Sequence, residues 1–145
     1  EIRLSLVGSE MCIRDSKNLG IFILRLTIPF TMLIYGINKV IEGTGFIGSL
    51  LEQYGLPKMM ANGVFIGEIV APLMLMIGFR ARLAGLIFSF NCLLAIVMAQ
   101  TQNIFKLNEF GGWSLDLLFI YLITGIVFFV SGAGKYALST SSHWD

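Results

Sequence analysis

Charged side chains are scarce in this sequence. Only 13% of the 145 residues are Asp, Glu, Lys or Arg, whereas soluble domains carry about 25%. Hydrophobic residues make up 56% of the chain, and its mean hydropathy is +0.81. This balance excludes an ordinary soluble domain and indicates a membrane protein. The Lys and Arg residues do not cluster, so the sequence gives no support to nucleic-acid binding.

Cysteine and histidine are almost missing. The chain has two cysteines, Cys12 and Cys92, and one histidine, His143. It has neither a Cys-x-x-Cys pair nor a group of residues with metal-ligand spacing, so we predict no metal site and no intrinsic cofactor. The glycines of 43–48 do not link a strand to a helix, which excludes a phosphate-binding loop. A redox role would have to take its electrons from another carrier.

The first sixteen residues lack the features of a secretory signal. Glu10, Arg14 and Asp15 stand where such a signal needs an apolar run. Residues 7–16, VGSEMCIRDS, instead resemble a translated sequencing adapter. We therefore treat 1–16 as a non-native, adapter-derived extension, with a disordered polar extension as the alternative. The rest divides into a membrane domain, 17–138, and a polar tail, 139–145.

Long apolar runs are abundant. Four of them contain about 18 to 23 residues, enough for a helix to cross a hydrocarbon core about 30 Å thick. Helices are expected because lipid offers no partner for backbone N–H and C=O groups. We predict an all-α membrane four-helix bundle, with a short interfacial helix in the loop 42–60 between the first two spans. The predicted spans are 19–41, 61–79, 81–99 and 113–130.

The distribution of basic residues predicts the orientation. Four spans would place both termini and the tight hairpin 78–82 on the same side of the membrane. That side carries more Lys and Arg than the other, and cytoplasmic loops are enriched in these residues. We therefore predict that both termini are cytoplasmic.

The first two predicted spans contain three charged residues. Arg25 and Lys39 are in the first span and Glu68 is in the second. Such residues usually face the bundle interior and mark function, although Arg and Lys can also extend to the headgroups. A carboxylate at this depth must pair, accept hydrogen bonds or stay protonated. We predict a buried Glu68 site with Lys39 or Arg25 as its partner, and these three residues are the catalytic candidates.

The spacing within the spans supports this site. Lys39 follows Arg25 by fourteen residues, which places both within about 40° of each other on one helix face. Pro29 and Pro72 follow Arg25 and Glu68 by four residues, and each proline removes a helical N–H donor. We therefore expect the carbonyl groups of Arg25 and Glu68 to be open to a ligand, a water molecule or a side chain.

Five other residues are candidates for binding a cofactor or substrate, and several have a structural alternative. Asn91 could hydrogen-bond between helices. Asp116 could satisfy free N–H groups at the start of the fourth span. Trp113 could belong to an interfacial aromatic belt. The candidates are Tyr35, Asn38, Asn91, Asp116 and Trp113.

Six short motifs follow one another in a specific order. They are LRL (24–26), YGINK (35–39), YGLP (54–57), GE (67–68), GFRARLAG (78–85) and GAGKYAL (132–138). Their order and spacing resemble the DoxX family over about residues 19–138. The resemblance implies a four-helix bundle of the prokaryotic inner membrane. In that family His often precedes the Gly-x-x-Lys motif, where Tyr35 stands here, and Glu often occupies the position of Asp116.

The resemblance also implies a function. Some members of the family resemble the quinone-reducing membrane subunit of thiosulfate oxidation, and others accompany thiol or oxidative-stress systems. A membrane subunit of a quinone- or thiol-linked redox system is therefore expected, with quinone as a candidate cofactor. It would depend on a partner subunit and have no enzymatic activity alone. A small-solute or lipid-handling protein and a scaffold for partner subunits are the alternatives, and a homo-oligomer is left open.

Overall fold

The computed structural model describes residues 2–109 and 111–138 and is helical. Short 3-10 helices, Lys58–Gly63 and Thr101–Asn103, and a π-helical turn, Ile66–Val70, connect the α-helices. The all-α prediction is confirmed, whereas the predicted polar tail 139–145 lies outside the described residues. The α-helices are α1 (Ile2–Glu42), α2 (Gly45–Gln53), α3 (Ala71–Ile77), α4 (Ala81–Ala99) and α5 (Asp116–Ser131).

Three helical segments are long and apolar enough to cross a membrane. They are Met11–Glu42 within α1, Lys58–Ile77, and α4. The fourth predicted span is shorter than expected, because α5 has 16 residues and is about 24 Å long. The helix begins at Asp116 rather than Trp113. The Ser114 N–H donates to the Lys106 carbonyl at 3.0 Å, which keeps residues 113–115 in the preceding loop.

The segment Lys58–Ile77 is not the uniform helix that the sequence predicted. It starts as a 3-10 helix, passes through the π-helical turn Ile66–Val70 and ends as α3. Pro72 has no N–H to bond the Glu68 carbonyl in the α-helical pattern. The Ala71 N–H bonds the carbonyl of Ile66, five residues earlier. Single π-helical turns are rare and often occur at functional sites.

Glycines end the helices where the chain turns. The predicted hairpin after α3 begins at Gly78, with φ 72°, and Arg80 also has a positive φ, 46°. Left-handed backbone is uncommon for a residue with a side chain, so the position of Arg80 is strained. The predicted short helix in the loop 42–60 is α2, and it is followed by Gly55, with φ 72°.

The helices pack through small residues and leave apolar surfaces outside. A Cβ atom at Gly125 of α5 would lie 2.3 Å from Ser89 Oγ of α4, so these two helices are in close contact. Large apolar side chains nevertheless remain exposed along every span. Soluble monomers rarely expose apolar surface of this extent. These outer surfaces are suited to lipid. The buried core contains Met32, Ala71, Leu75, Ala81, Ala84, Phe88, Cys92, Tyr121, Phe128 and Ala133.

Candidate functional site

The inward face of α1 carries both basic candidates. Arg25, Pro29, Met32 and Gly36 are buried at intervals of four, three and four residues, and Lys39 follows three residues later with a half-buried side chain. This is the spacing of one helix face. The predicted alignment of Arg25 and Lys39 on one face is therefore present.

Lys39 and Glu68 form an ion pair between α1 and the π-helical turn Ile66–Val70. Lys39 Nζ donates to Glu68 Oε1, and Glu68 is only 3% exposed. The second carboxylate oxygen, Glu68 Oε2, is buried and has no hydrogen-bond partner among the described residues. The carboxylate is thus held on one side and left with an unused acceptor on the other.

Gly36 allows this close approach. A Cβ atom at Gly36 would lie 2.7 Å from the Glu68 carbonyl oxygen, so no side chain can stand between α1 and the turn. The Glu68 carbonyl oxygen therefore faces the backbone of α1 at Gly36. Its availability to a ligand, a water molecule or a side chain stays a prediction.

Asn91 of α4 lies on the other side of the same turn. A Cβ atom at Gly67 would lie 2.3 Å from Asn91 Cγ, so Asn91 packs directly against the residue before Glu68. Its Nδ2 atom is buried without a hydrogen-bond partner within the part of the chain that the structure describes. Cys92 follows in the sequence and is fully buried. The turn is therefore flanked by a free acceptor and a free donor.

Arg25 is not the partner of Glu68. Its Nη1 donates to the Ala133 carbonyl at 2.7 Å, and its Nη2 donates to the Tyr136 carbonyl. The guanidinium also lies 5.4 Å from the centre of the Phe22 ring. Carbonyls beyond the end of a helix lack intrahelical partners, and a guanidinium has several donors in a fixed fork. Arg25 thus holds the segment 132–138 against α1, far along the helix from Lys39.

A hydrogen-bonded tyrosine on α5 is a feature that sequence reasoning missed. Tyr121 is 2% exposed, and its hydroxyl donates to Thr31 Oγ1 on α1 at 2.9 Å. Its ring meets the Phe88 ring edge-on, with the ring centres 5.9 Å apart. The available signal was a phenol in the middle of an apolar span, where its hydroxyl needs a partner.

The remaining candidates lie away from the ion pair or at the surface. Tyr35 is one turn before Lys39 and 51% exposed, and Asn38 is also exposed. The indole N–H of Trp113 donates to the Ile104 carbonyl at 2.6 Å, within its own loop. Asp116 is exposed, and its Oδ1 accepts from the N–H of the next residue. The structure therefore gathers Lys39, Glu68 and Asn91 around one turn, but not the other candidates.

Comparison with known proteins identifies relatives of this chain. The sequence model of the DoxX family matches residues 20–101, more than half of the chain and all of the residues gathered around the turn. A protein of Bacillus subtilis (strain 168) named "Putative oxidoreductase CatD" is 28% identical over 114 residues, which cover 76% of this chain and 82% of that protein. No solved structure matches the chain.

Proposed function

Because the chain belongs to the DoxX family, we propose that this membrane protein is the membrane subunit of a redox system. The observation that carries the proposal is the buried Glu68, which is ion-paired with Lys39 and has an unused oxygen. Ionisable groups held inside a membrane bundle commonly serve proton transfer. The name of the Bacillus subtilis relative supports an oxidoreductase role.

A quinone is the substrate that this group of residues fits. A quinone is lipid-soluble, so it can reach the spans from the bilayer. Its carbonyl oxygens accept hydrogen bonds. Asn91 Nδ2 has no partner among the described residues and could donate one of these bonds, and the Lys39 ammonium could donate another. Its reduction takes up two electrons and two protons and gives a hydroquinone. Glu68 and Lys39 would hold and pass these protons at the carbonyl oxygens.

The electrons come from a partner in this proposal. Cys12 is exposed, whereas Cys92 is buried, and both are free thiols. The two thiols are not bonded to each other, and Cys12 belongs to the extension 1–16 that we predict to be non-native. We place the protein in the prokaryotic inner membrane with four spans and both termini cytoplasmic, where a soluble donor or a thiol system could deliver electrons.

Quinone reduction in membranes tests the proposal. Membranes from cells producing the wild-type chain, Glu68→Gln or Glu52→Gln are given a decyl-benzoquinone, with thiosulfate or a thiol as donor. Glu52 is the matched control, because it forms a surface pair with Lys58 at 3.0 Å and is 54% exposed. Loss of the proton carrier in Glu68→Gln should lower the chain-dependent rate at least tenfold. Glu52→Gln should leave that rate within about twofold.

Two results would contradict the proposal. One is a quinone-reduction rate that is the same with and without the chain for every donor offered. The other is Glu68-dependent passage of a small solute through liposomes that contain the purified chain without any quinone activity. The second result would instead support the solute-handling alternative.

A further inference from the structure

The two unpaired polar atoms at the turn differ in hydrogen-bonding character. As the carboxylate of the ion pair with Lys39, Glu68 can only accept through Oε2, whereas Asn91 Nδ2 can only donate. Both are buried and lack a partner within residues 2–109 and 111–138. Native structures leave few buried polar atoms unpaired, and each one calls for an explanation such as a missing ligand.

The two residues belong to one turn or pack directly on it. Asn91 packs on Gly67 from α4, and Glu68 is the next residue of the π-helical turn. The other oxygen of Glu68 is fixed by Lys39, so Oε2 cannot turn to that partner without breaking the ion pair. A ligand that reaches Glu68 Oε2 must therefore donate a hydrogen bond to it, and a ligand that reaches Asn91 Nδ2 must accept one.

We infer that the site binds the reduced form of its substrate, a hydroquinone, more tightly than the oxidised quinone. This inference rests on the proposed function. A hydroquinone hydroxyl can donate to Glu68 Oε2, whereas a quinone carbonyl can only accept. Oxygen atoms of both forms can accept from Asn91 Nδ2. The oxidised form would leave the Glu68 oxygen unpaired and facing the lone pairs of a carbonyl.

This preference would change the redox behaviour of the bound substrate. Tighter binding of the reduced form raises the midpoint potential of the bound couple above that of the free couple. A tenfold preference corresponds to about 30 mV for a two-electron couple. The site would therefore make the bound quinone a better acceptor for electrons delivered by a partner.

Binding to the purified full chain in lipid nanodiscs tests the inference. The dissociation constants of a decyl-benzoquinone and of its hydroquinone are measured separately under anaerobic conditions. We expect the wild-type chain to bind the hydroquinone about tenfold more tightly. Glu68→Gln should lose or reverse this ratio, because the amide can turn its oxygen toward Lys39 and present a donor where Oε2 accepted.

Two further variants locate the origin of the preference. Asn91→Leu removes the donor that both redox forms use, so it should weaken both and leave their ratio near the wild-type value. Glu52→Gln changes a surface acid in the same way as Glu68→Gln and should alter neither constant. The wild-type ratio requires no variant, so the test holds even if one variant fails to fold.

The possible outcomes separate the inference from the function on which it rests. If neither form binds the wild-type chain, the proposed function fails and the inference with it. If both forms bind equally, or the oxidised form binds more tightly, the inference is overturned and the proposed function stands. An unchanged ratio in a folded Glu68→Gln chain also overturns the inference.

Discussion

At the scale of single residues, burial distinguishes two Lys–Glu pairs that both involve the segment Lys58–Ile77. The pair of Lys58 and Glu52 is solvent-exposed, with side chains 65% and 54% exposed, and such pairs contribute about 0 to 1 kcal/mol. Glu68 in the other pair has only 4% of its side chain exposed. Removing one partner of a buried pair leaves an uncompensated buried charge. When both partners are buried, this loss destabilises a protein by about 3 to 5 kcal/mol, several times more than the loss of an exposed pair.

The two pairs should therefore respond differently to double-mutant cycles. We expect Lys39→Met and Glu68→Gln to couple by about 1 to 3 kcal/mol, with the double variant more stable than the sum of the single changes predicts. Lys58→Met and Glu52→Gln should couple by less than about 0.5 kcal/mol. The free energy of unfolding in detergent micelles measures both cycles. Additive effects at Lys39 and Glu68 would rule out an energetically important pair.

Arg25 should act on the C-terminal segment rather than on the ion pair. Arg25→Lys keeps a charge but loses the fork that reaches two carbonyls, so the segment 132–138 should loosen. The Leu138 N–H, which bonds the Ile77 carbonyl at 3.2 Å, should then exchange with deuterium faster. Hydrogen exchange with mass spectrometry measures this change. Lys135→Met serves as the control, because it removes only an exposed pair with Asp15 of α1, at 3.9 Å, and such pairs contribute little. An unchanged exchange rate in Arg25→Lys would contradict this role.

At the scale of helices and turns, the approach of α1 to the π-helical turn depends on one missing side chain. Gly36 faces the Glu68 carbonyl, while a Cβ atom at Gly20 in the same helix would have nothing within 4 Å. Gly36→Ala should therefore force the two elements apart and destabilise the protein by about 1 to 3 kcal/mol. Gly20→Ala should be neutral or stabilising by up to about 1 kcal/mol. Thermal unfolding of both variants checks the contrast, and equal effects would contradict it.

The elements were predictable from the sequence to different degrees. α4 matches its apolar run to the residue, because its ends are marked by Arg80 and Gln100. The π-helical turn was not predictable, since a proline does not by itself specify a π-helical turn and the contact of Gly36 with Glu68 is tertiary. The buried Glu68 and Lys39 could be found because charges are conspicuous in apolar runs. The partner of Arg25 could not, because backbone carbonyls belong to every residue and carry no sequence signal.

At the scale of the whole molecule, the predicted four-span topology determines which loops lie on each side of the membrane. Lys135 and Lys106 are both exposed, in the segment after α5 and in the loop between α4 and α5. If four helices span the membrane with cytoplasmic termini, these two positions face opposite sides. In a Cys12→Ser background, Lys106→Cys should react with a membrane-impermeant maleimide in intact spheroplasts. Lys135→Cys should react only after permeabilisation, and labelling of both positions in intact spheroplasts would contradict the four-span arrangement.

The contacts of Arg25 also have a consequence for how the chain is made. Its two acceptor carbonyls lie 108 and 111 residues further along the sequence, so they do not exist when the first span leaves the ribosome. At a rate of synthesis of about 5 to 20 residues per second, these carbonyls are made about 5 to 20 s after Arg25. During that time the guanidinium lacks these partners in a bilayer that disfavours a charge. The first helix can be inserted early, but it is fixed in place only after the segment 132–138 has been synthesised.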